Sequence, residues 1–459
     1  TKRDLIFFKK VVAEMLNHAI DSYMNFAFPA DEILPLQCKI KERMDNWNGN
    51  YSLTLIDTLD TLAVMEKYKK YEKYSILFLN NVYLKSDVNV SLFEANIRML
   101  GGLISNHYIS KKLQKHKLVL NLKYGVMDVS NTSLISIAHI GTLILEFGTI
   151  SYLTGNDKYY NAVYKATEIA WSIRSDYDLV GTDIKITSNE WSNKYATVSG
   201  NIDSYYEYLL KAYITFNNVS FYKKFQTHYE AIIRYINKPP NFYRVNMHGP
   251  ENIQDEYDAL VAFWPGLQVL YGDFMTAFKN FNQFERVVKH YSFLLDNYLQ
   301  KKPKSYLLRP EFYESNFYLY ELTKNEKYID NAIDALYNLN MYARGSCGFS
   351  SISNVFIFPA YTDNMDSYFL AETIKYIYLV FENSLETSVL QWDEFLFNTE
   401  AHFVPIYAPL SYCPIKINTT SFKENEHLRL QCKFHFLHLN WMGNIKVDSS
   451  EISSAIIFW

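Results

Sequence analysis

Asp203 opens the run DSYYEYLLKAYIT and Glu311 opens EFYESNFYLYELT, and each acid lies twelve residues ahead of a threonine, Thr215 and Thr323. Carboxylic acids placed at one phase of a repeated unit can do general acid and base chemistry, one giving a proton and the other taking one. A helix of that length rises about 1.5 Å per residue, so the acid stands at one end and the threonine at the turn at the other. Acids from different copies of the unit would then gather at one rim.

Other acids join this set. Glu314 follows Glu311 by one turn, after Arg309-Pro310 at a Pro-initiated helix start, and two carboxylates on one face repel unless something uses them. Glu94, in LFEANIRMLGG, has Arg98 four residues on; it reads either as a helix ion pair or as an acid whose pKa is raised by an apolar pocket. Asp203-Ser204 and Asp366-Ser367 stand where helices begin, and either acid taken alone is a helix cap. Together, Glu94, Asp203, Glu311, Glu314 and Asp366 would face one cavity if the helical units close into a ring. Acids combined with 39 Tyr, 31 Phe and 7 Trp suit a carbohydrate, although most aromatics at helical spacing are core. Cleaving a glycosidic bond needs two carboxyl groups, one to protonate the leaving oxygen and one to attack or to activate water. No Ser-His-Asp order, phosphate-cradling glycine loop or cysteine nucleophile signature competes.

The elements that would position these acids are helical hairpins. LTGNDKYYNAVYKA from Leu153 and LTKNEKYIDNAIDAL from Leu322 each read as a helix end, a short polar turn and a second helix; ITFNNVSFYKKFQTHYEAI from Ile214 is a looser copy. Such hairpins build an open solenoid or a closed toroid, and the irregular spacing disfavours a simple solenoid. No flexible linker divides the chain before about residue 405. Beyond it, HFVPIYAPL, LRLQCKFHFLHL and SAIIFW read as strands, which predicts a helical domain over 1–405 and a small β-rich extension over 406–459.

Composition sets the outer limits. The 459 residues, 49% of them hydrophobic, can bury a large core, and the length allows roughly three ordinary domains or one large helical barrel. A net charge of −4, spread along the chain, marks neither a nucleic-acid surface nor a polyanion track. No apolar run is expected to reach the 18 or more residues of a membrane span: the best candidate, ISIAHIGTLILEFGTISYL, is interrupted by His139 and Glu146 and reads as a buried amphipathic helix. The opening TKRDLIFFKKVVAEML lacks the apolar core and cleavage site of a signal peptide. Four cysteines are too few for a disulfide framework and none has zinc-ribbon spacing; from the residues alone they are either buried thiols or, for Cys413 and Cys432, a local clip. Five Asn-x-Ser/Thr sequons, at Asn50, Asn89, Asn131, Asn218 and Asn418, suit a secretory protein, though an Asn-rich chain produces several by chance.

The motifs MLNHAIDSYMNFAFPADEILPL, YSLTLIDTLDTL, LFEANIRMLGGLIS, GTLILEFG, DSYYEYLLKAYI, FWPGLQVL, LLRPEFYES, MDSYFLAETIKYIYLVF and NTEAH, in order from about residue 10 to 405, resemble the class I α1,2-mannosidases. PADEILPL with Cys38, and FWPGLQVLYGD, resemble the ER degradation-enhancing mannosidase-like branch. The resemblance implies an all-α fold, an (α/α)7 barrel with a calcium ion at its base, and inverting hydrolysis of terminal α1,2-linked mannose. It implies Glu94 as the acid that protonates the leaving oxygen, Glu311 as the base that activates water, and Asp203 as a third catalytic carboxylate. Glu314, Asp366, Glu372 and Glu400 would line the pocket beside Arg98, and Thr399 of NTEAH would ligate the calcium through hard oxygens. It further implies a Cys38–Cys347 disulfide, an oxidising ER lumen, and high-mannose N-glycans on misfolded glycoproteins and a protein disulfide isomerase as partners.

This chain departs from the pattern in three places: Asp366 stands where the family usually has Glu, Asn201 replaces an Arg, and the lead-in to YSLTLIDTLDTL is shortened to KERMDNWNGN. The leading expectation is a mannosidase. A mannose-binding lectin that keeps the pocket but hydrolyses little is the alternative, and a helical-repeat scaffold without a sugar site the third.

Overall fold

The described helices are of two kinds, which alternate along most of the chain and build the architecture. The computed structural model describes residues 2–42, 51–82, 90–112, 134–185, 188–256, 258–296, 305–385 and 394–407. In chain order the helices are α1 (Lys2–Phe26), α2 (Leu53–Val64), α3 (Tyr68–Asn81), α4 (Gly101–Lys112), α5 (Ile144–Thr154), α6 (Lys158–Ser172) and α7 (Asp203–Phe216). They continue with α8 (Val219–Tyr235), α9 (Trp264–Tyr271), α10 (Phe274–Tyr291), α11 (Glu311–Thr323), α12 (Glu326–Asn338) and α13 (Ile374–Ser384). Every residue of α2 and α9 is buried, and nearly every residue of α7, α11 and α13. Helices α8, α10 and α12 instead bury a single stripe, Phe221, Phe225, Tyr229 and Ile232 in α8 for example. Helices buried all round must lie inside and one-faced helices outside. Seven inner helices (α2, α4, α5, α7, α9, α11, α13) therefore form a ring, with outer helices α1, α3, α6, α8, α10 and α12 packed behind it among the described residues.

The hairpin turns explain the repeat seen in the sequence. Inner helices α5, α7 and α11 each end on a left-handed residue, Gly155 (φ 65°), Asn217 (φ 54°) and Lys324 (φ 52°), which stops the helix and turns the chain into the outer partner. Inner helices α2, α5, α7, α9 and α11 are each followed by an outer return, so they run the same way and their N-termini share one rim.

Ring closure joins the first outer helix to the last inner one. Phe8 stacks on Phe381 with centroids 5.8 Å apart, and Lys9 pairs with Glu382. Cys38 and Cys347 form a disulfide across 309 residues of sequence, tying the segment after α1 to the segment after α12, with Cys347 N–H donating to Pro35 O at 2.8 Å.

The segment expected to be a buried helix is one, split into Ile137–Gly141 and α5. Contrary to the sequence reading, Ile137–Thr154 does meet the length and hydropathy of a membrane span; 67% of it is buried inside the barrel, where it serves as an inner wall. Glu146 breaks its apolar run for a structural reason, accepting from Tyr208 Oη at 2.7 Å and from Asn96 and Asn398 Nδ2, each at 2.8 Å.

The strand expected at HFVPIYAPL forms one residue into that motif but belongs to the barrel. Phe403–Pro405 pairs antiparallel with Phe395–Phe397, and this hairpin plugs the barrel from the end where inner helices finish, with Tyr407 N–H donating to Thr215 O at 3.0 Å. Residues 408–459, including Cys413, Cys432 and the expected β-rich extension, lie outside the described residues, as do four of the five sequons. The fifth, Asn218, caps α8 through Ser220 N–H, and its Nδ2 donates to Tyr160 Oη at 2.9 Å.

Candidate active site

The rim at the inner-helix N-termini collects the acids. Glu311 and Asp203 are the first residues of α11 and α7, Glu94 immediately precedes the widened turn Ala95–Leu100 that leads into α4, and Asp366-Ser367 precede the turn Phe369–Thr373 that leads into α13. Helix N-termini present unpaired N–H groups and the positive dipole end, so this rim suits anionic side chains. The Asp203 carboxylate, for example, accepts from Ser204 N–H at 2.9 Å.

One wall is built on Arg98. Its Nε donates to Glu94 at 2.7 Å, and its Nη1 pairs with Glu400, lies 3.5 Å from Asp57 and donates to Ser367 Oγ at 3.1 Å. Of the two sequence readings of Glu94, the helix ion pair is the one present, and the carboxylate is 35% exposed. The opposite wall is built on Arg309, whose Nε donates to Asp296 at 3.0 Å and whose Nη1 is 3.8 Å from Glu311. The Tyr368 ring joins the walls, with each guanidinium 5.8 Å from its centroid.

Burial dominates the electrostatics. Glu311 is pushed up to about 8 by desolvation, which Asp296 and Asp258 reinforce and Arg309 opposes. Asp203 is pushed up to about 7, again by burial first, with Glu207 and Asp258 adding to it. Below them Glu314 is raised by burial and by Glu207 and Glu311, against Lys211, which is itself buried and paired with Glu207. Glu372 is raised further, by burial and by the neighbouring Glu400, Glu311 and Glu314. Asp366 turns partly aside, 3.4 Å from Lys41 and accepting from Asn364 Nδ2 at 3.0 Å.

The tip of the plug hairpin lies beneath these acids. Asn398 fixes it, its Oδ1 accepting from Glu400 and His402 N–H at 2.9 and 2.8 Å and its Nδ2 donating to Ile97 O at 2.9 Å. Ala401 adopts φ 55° to complete the turn. Lys375, buried, donates to Ala401 O at 2.6 Å and Asp60 at 2.8 Å, and Asp60 and Asp57 flank the His402 ring at 2.8 and 3.2 Å. Thr399, between these anchors and next to Glu400 in the chain, carries a hydroxyl and a carbonyl, and its N–H lies 3.5 Å from Tyr208 Oη. Among the described residues no group of three or more His, Cys, Asp or Glu side chains could hold a metal by itself. The Thr399 hydroxyl and carbonyl are hard oxygens, of the donor type that calcium takes.

The structure brings Glu94, Arg98, Glu400, Glu372, Glu314, Glu311, Asp203 and Thr399 to one end of the barrel interior, with Asp366 at its edge. Sequence reasoning missed Asp57, Asp258, Asp296, Arg309 and Tyr368 as parts of it. A signal existed for Asp57, an acid inside the apolar run LTLIDTLDTL, and for Arg309, next to Pro310; Asp258 and Asp296 carry none.

A helical barrel whose N-terminal rim holds an acid-lined, arginine-braced pocket is a scaffold of the glycoside hydrolase class. The chain belongs to glycosyl hydrolase family 47, whose pattern matches residues 15–128 and 119–406. It is 38% identical to the human ER degradation-enhancing alpha-mannosidase-like protein 3, over 89% of this chain and 49% of that protein. It is 35% identical to alpha-mannosidase I MNS4 of Arabidopsis thaliana, over 88% of this chain and 72% of that protein. These relatives agree with the branch that the sequence motifs resembled. The chain spans about half the length of the human relative. Among solved structures, the alpha-1,2-mannosidase from Trichoderma reesei superposes with a TM-score of 0.74 over 87% of this chain and 99% of that one, at 23% identity, a likeness of fold.

Proposed function

We propose that this chain is an inverting α1,2-mannosidase that trims high-mannose N-glycans of misfolded glycoproteins in the ER lumen, marking them for degradation. One observation carries the reading: Glu94 in the lead-in to α4, Asp203 at the start of α7 and Glu311 at the start of α11 share one rim in a chain of this family. The Cys38–Cys347 disulfide supports an oxidising compartment.

In this reading Glu94, held in place by Arg98, gives its proton to the leaving glycosidic oxygen. Glu311 takes a proton from the water that attacks the anomeric carbon from the other face, so the carbon–oxygen bond breaks as the new one forms with inversion. Asp203, raised by burial, is the third carboxyl group and shares Asp258 and Arg309 as neighbours with Glu311. Arg98, Glu314, Asp366, Glu372 and Glu400 orient the sugar hydroxyls. Thr399 would hold calcium, which when bound supplies a hard cation for sugar hydroxyls and offsets the surrounding carboxylates.

The test is incubation of the protein and of Glu311→Gln with a high-mannose glycoprotein and calcium, with a folding oxidoreductase present, followed by glycan mass analysis. Loss of mannose with wild type alone is expected; equal trimming by both, or by neither, would overturn the reading. The engagement of Asp366 with Lys41, away from the pocket centre, favours a second reading: a mannose-binding protein with little hydrolysis. Glycan retention without product over long incubation would support it.

A further inference from the structure

Arg309 stands between two carboxylates and bonds only one of them. Its Nε donates to Asp296 Oδ1 at 3.0 Å, whereas Nη1 stops 3.8 Å short of Glu311 Oε1, beyond hydrogen-bond reach. Both acids are 14% exposed, and one oxygen of each, Asp296 Oδ2 and Glu311 Oε2, is buried without a hydrogen-bond partner among the described residues. Tyr368 lies against the guanidinium and is itself fixed, its hydroxyl donating to Leu307 O at 2.5 Å. A guanidinium binds a carboxylate best through two parallel N–H donors. With Nε donating to Asp296 and Nη1 3.8 Å from Glu311, Arg309 makes no such fork with Glu311.

We propose that Asp296 is a positioning residue for Glu311, holding Arg309 back so that the carboxylate beside it stays free to accept a proton. The inference rests on the reading of Glu311 as the base. A fully forked Arg309–Glu311 pair would occupy the oxygens that water must approach and would stabilise the ionised acid, making it a poorer proton acceptor. The other groups facing Glu311 are Asp258 ahead of α9, Glu314 one turn along α11, Glu372 in the lead-in to α13, and Tyr368. These are acids and a phenol, so none takes over from Arg309 when it moves.

Glutamate labelled with 13C at the side-chain carboxyl, with the Glu311 resonance identified by its loss in Glu311→Gln, reads the proton affinity of Glu311 without relying on turnover. Asp296→Asn is expected to lower the Glu311 titration midpoint by about one pH unit, and Arg309→Gln to raise it by a similar amount. In an Arg309→Gln background, Asp296→Asn is expected to have at most about a third of its effect, because its action runs through the arginine. An unmoved or raised midpoint in Asp296→Asn, or an equal effect in both backgrounds, would overturn the proposal. Asp296→Ser replaces the Asn variant if that one does not fold. In wild type kcat/KM should rise with pH through the Glu311 midpoint, and Asp296→Asn should move that limb to lower pH while reducing kcat. Undiminished trimming by Glu311→Gln would refute the base assignment alone and leave the titration result standing.

Discussion

The guanidinium groups of Arg98 and Arg309 lie at equal distance, 5.8 Å, from the centroid of one ring, Tyr368. Through that ring the Glu94 wall and the Glu311 wall of the pocket become parts of one structure. The two cations carry unequal loads: Arg98 serves Glu94, Glu400 and Asp57, and Arg309 serves Asp296 and, at longer range, Glu311.

Arg98→Met should therefore be strongly destabilising. Removing one partner of a buried pair leaves the other charge uncompensated, at a cost of about 3–5 kcal/mol; here Glu400 loses the guanidinium paired with it, while Asp57 keeps His402 and Ser367. Urea unfolding should show a lower midpoint with an unchanged slope.

Stability should depend on pH through the buried Asp60–Lys375–His402 group. Burial opposes both charges, yet Lys375 and His402 take Asp60 down from 3.8 to about 2, and Asp60 and Asp57 take His402 up from 6.5 to about 9. The raised His402 contributes stability that is complete below 6.5 and lost as pH climbs through about 9; the depressed Asp60 contributes stability present above 3.8 and lost as pH falls through about 2. From this group the unfolding free energy should be flat from about pH 4 to 6.5 and fall toward pH 9. Thermal melts across that range, with His402→Gln as the comparison whose alkaline slope is reduced, would check it.

Replacing Cys38 and Cys347 by alanine should cost about 2–5 kcal/mol, since the bridge closes a long loop in the unfolded chain. The loss should be local at first. Amide exchange is expected to accelerate in α1 and around Arg344–Phe349, whose contacts with His18 and Pro35 the bridge secures.

Gly141→Ala should destabilise by about 1–3 kcal/mol through overpacking, because the new methyl would lie 2.3 Å from Tyr205 Cδ2. Tyr205 cannot yield easily, being fully buried and packed against Tyr206 and His228. Gly155→Ala meets open space instead but sits at φ 65°, so its cost should be about 1 kcal/mol and come from the backbone. Chemical denaturation of the two variants would separate these causes.

Chelation should lower the melting temperature and added calcium restore it, as linkage requires for a ligand of the folded state. Thr399→Val should abolish that response while leaving the plug hairpin folded, because Asn398 and Lys375 anchor the hairpin independently. An unchanged calcium response in the variant would count against Thr399 as a ligand.

The helical hairpins were legible in the sequence because their signals are local. The helix end, the short polar turn after Thr154, Thr215 and Thr323, and the start of the next helix are written in consecutive residues. The acids at the helix starts were legible for the same reason, and the motif set from residue 10 to 405 pointed to the family. What local sequence could not decide was which acids share a space. Glu94 and Arg98 are one turn apart, but Asp57, Ser367 and Glu400 reach Arg98 only because the ring closes. Asp296 and Asp258 look like ordinary loop acids until the rim places them beside Glu311. The extended segment at Phe403 was visible as a strand, but its partner and its place inside the barrel depended on the aromatic packing of Phe397 and Phe403. The chain's periodicity thus determined that acids would stand at the starts of inner helices. Only the closed ring, by excluding water from their surroundings and bringing distant charges within a few ångströms, decided which of them hold their protons, which are paired, and which remain free.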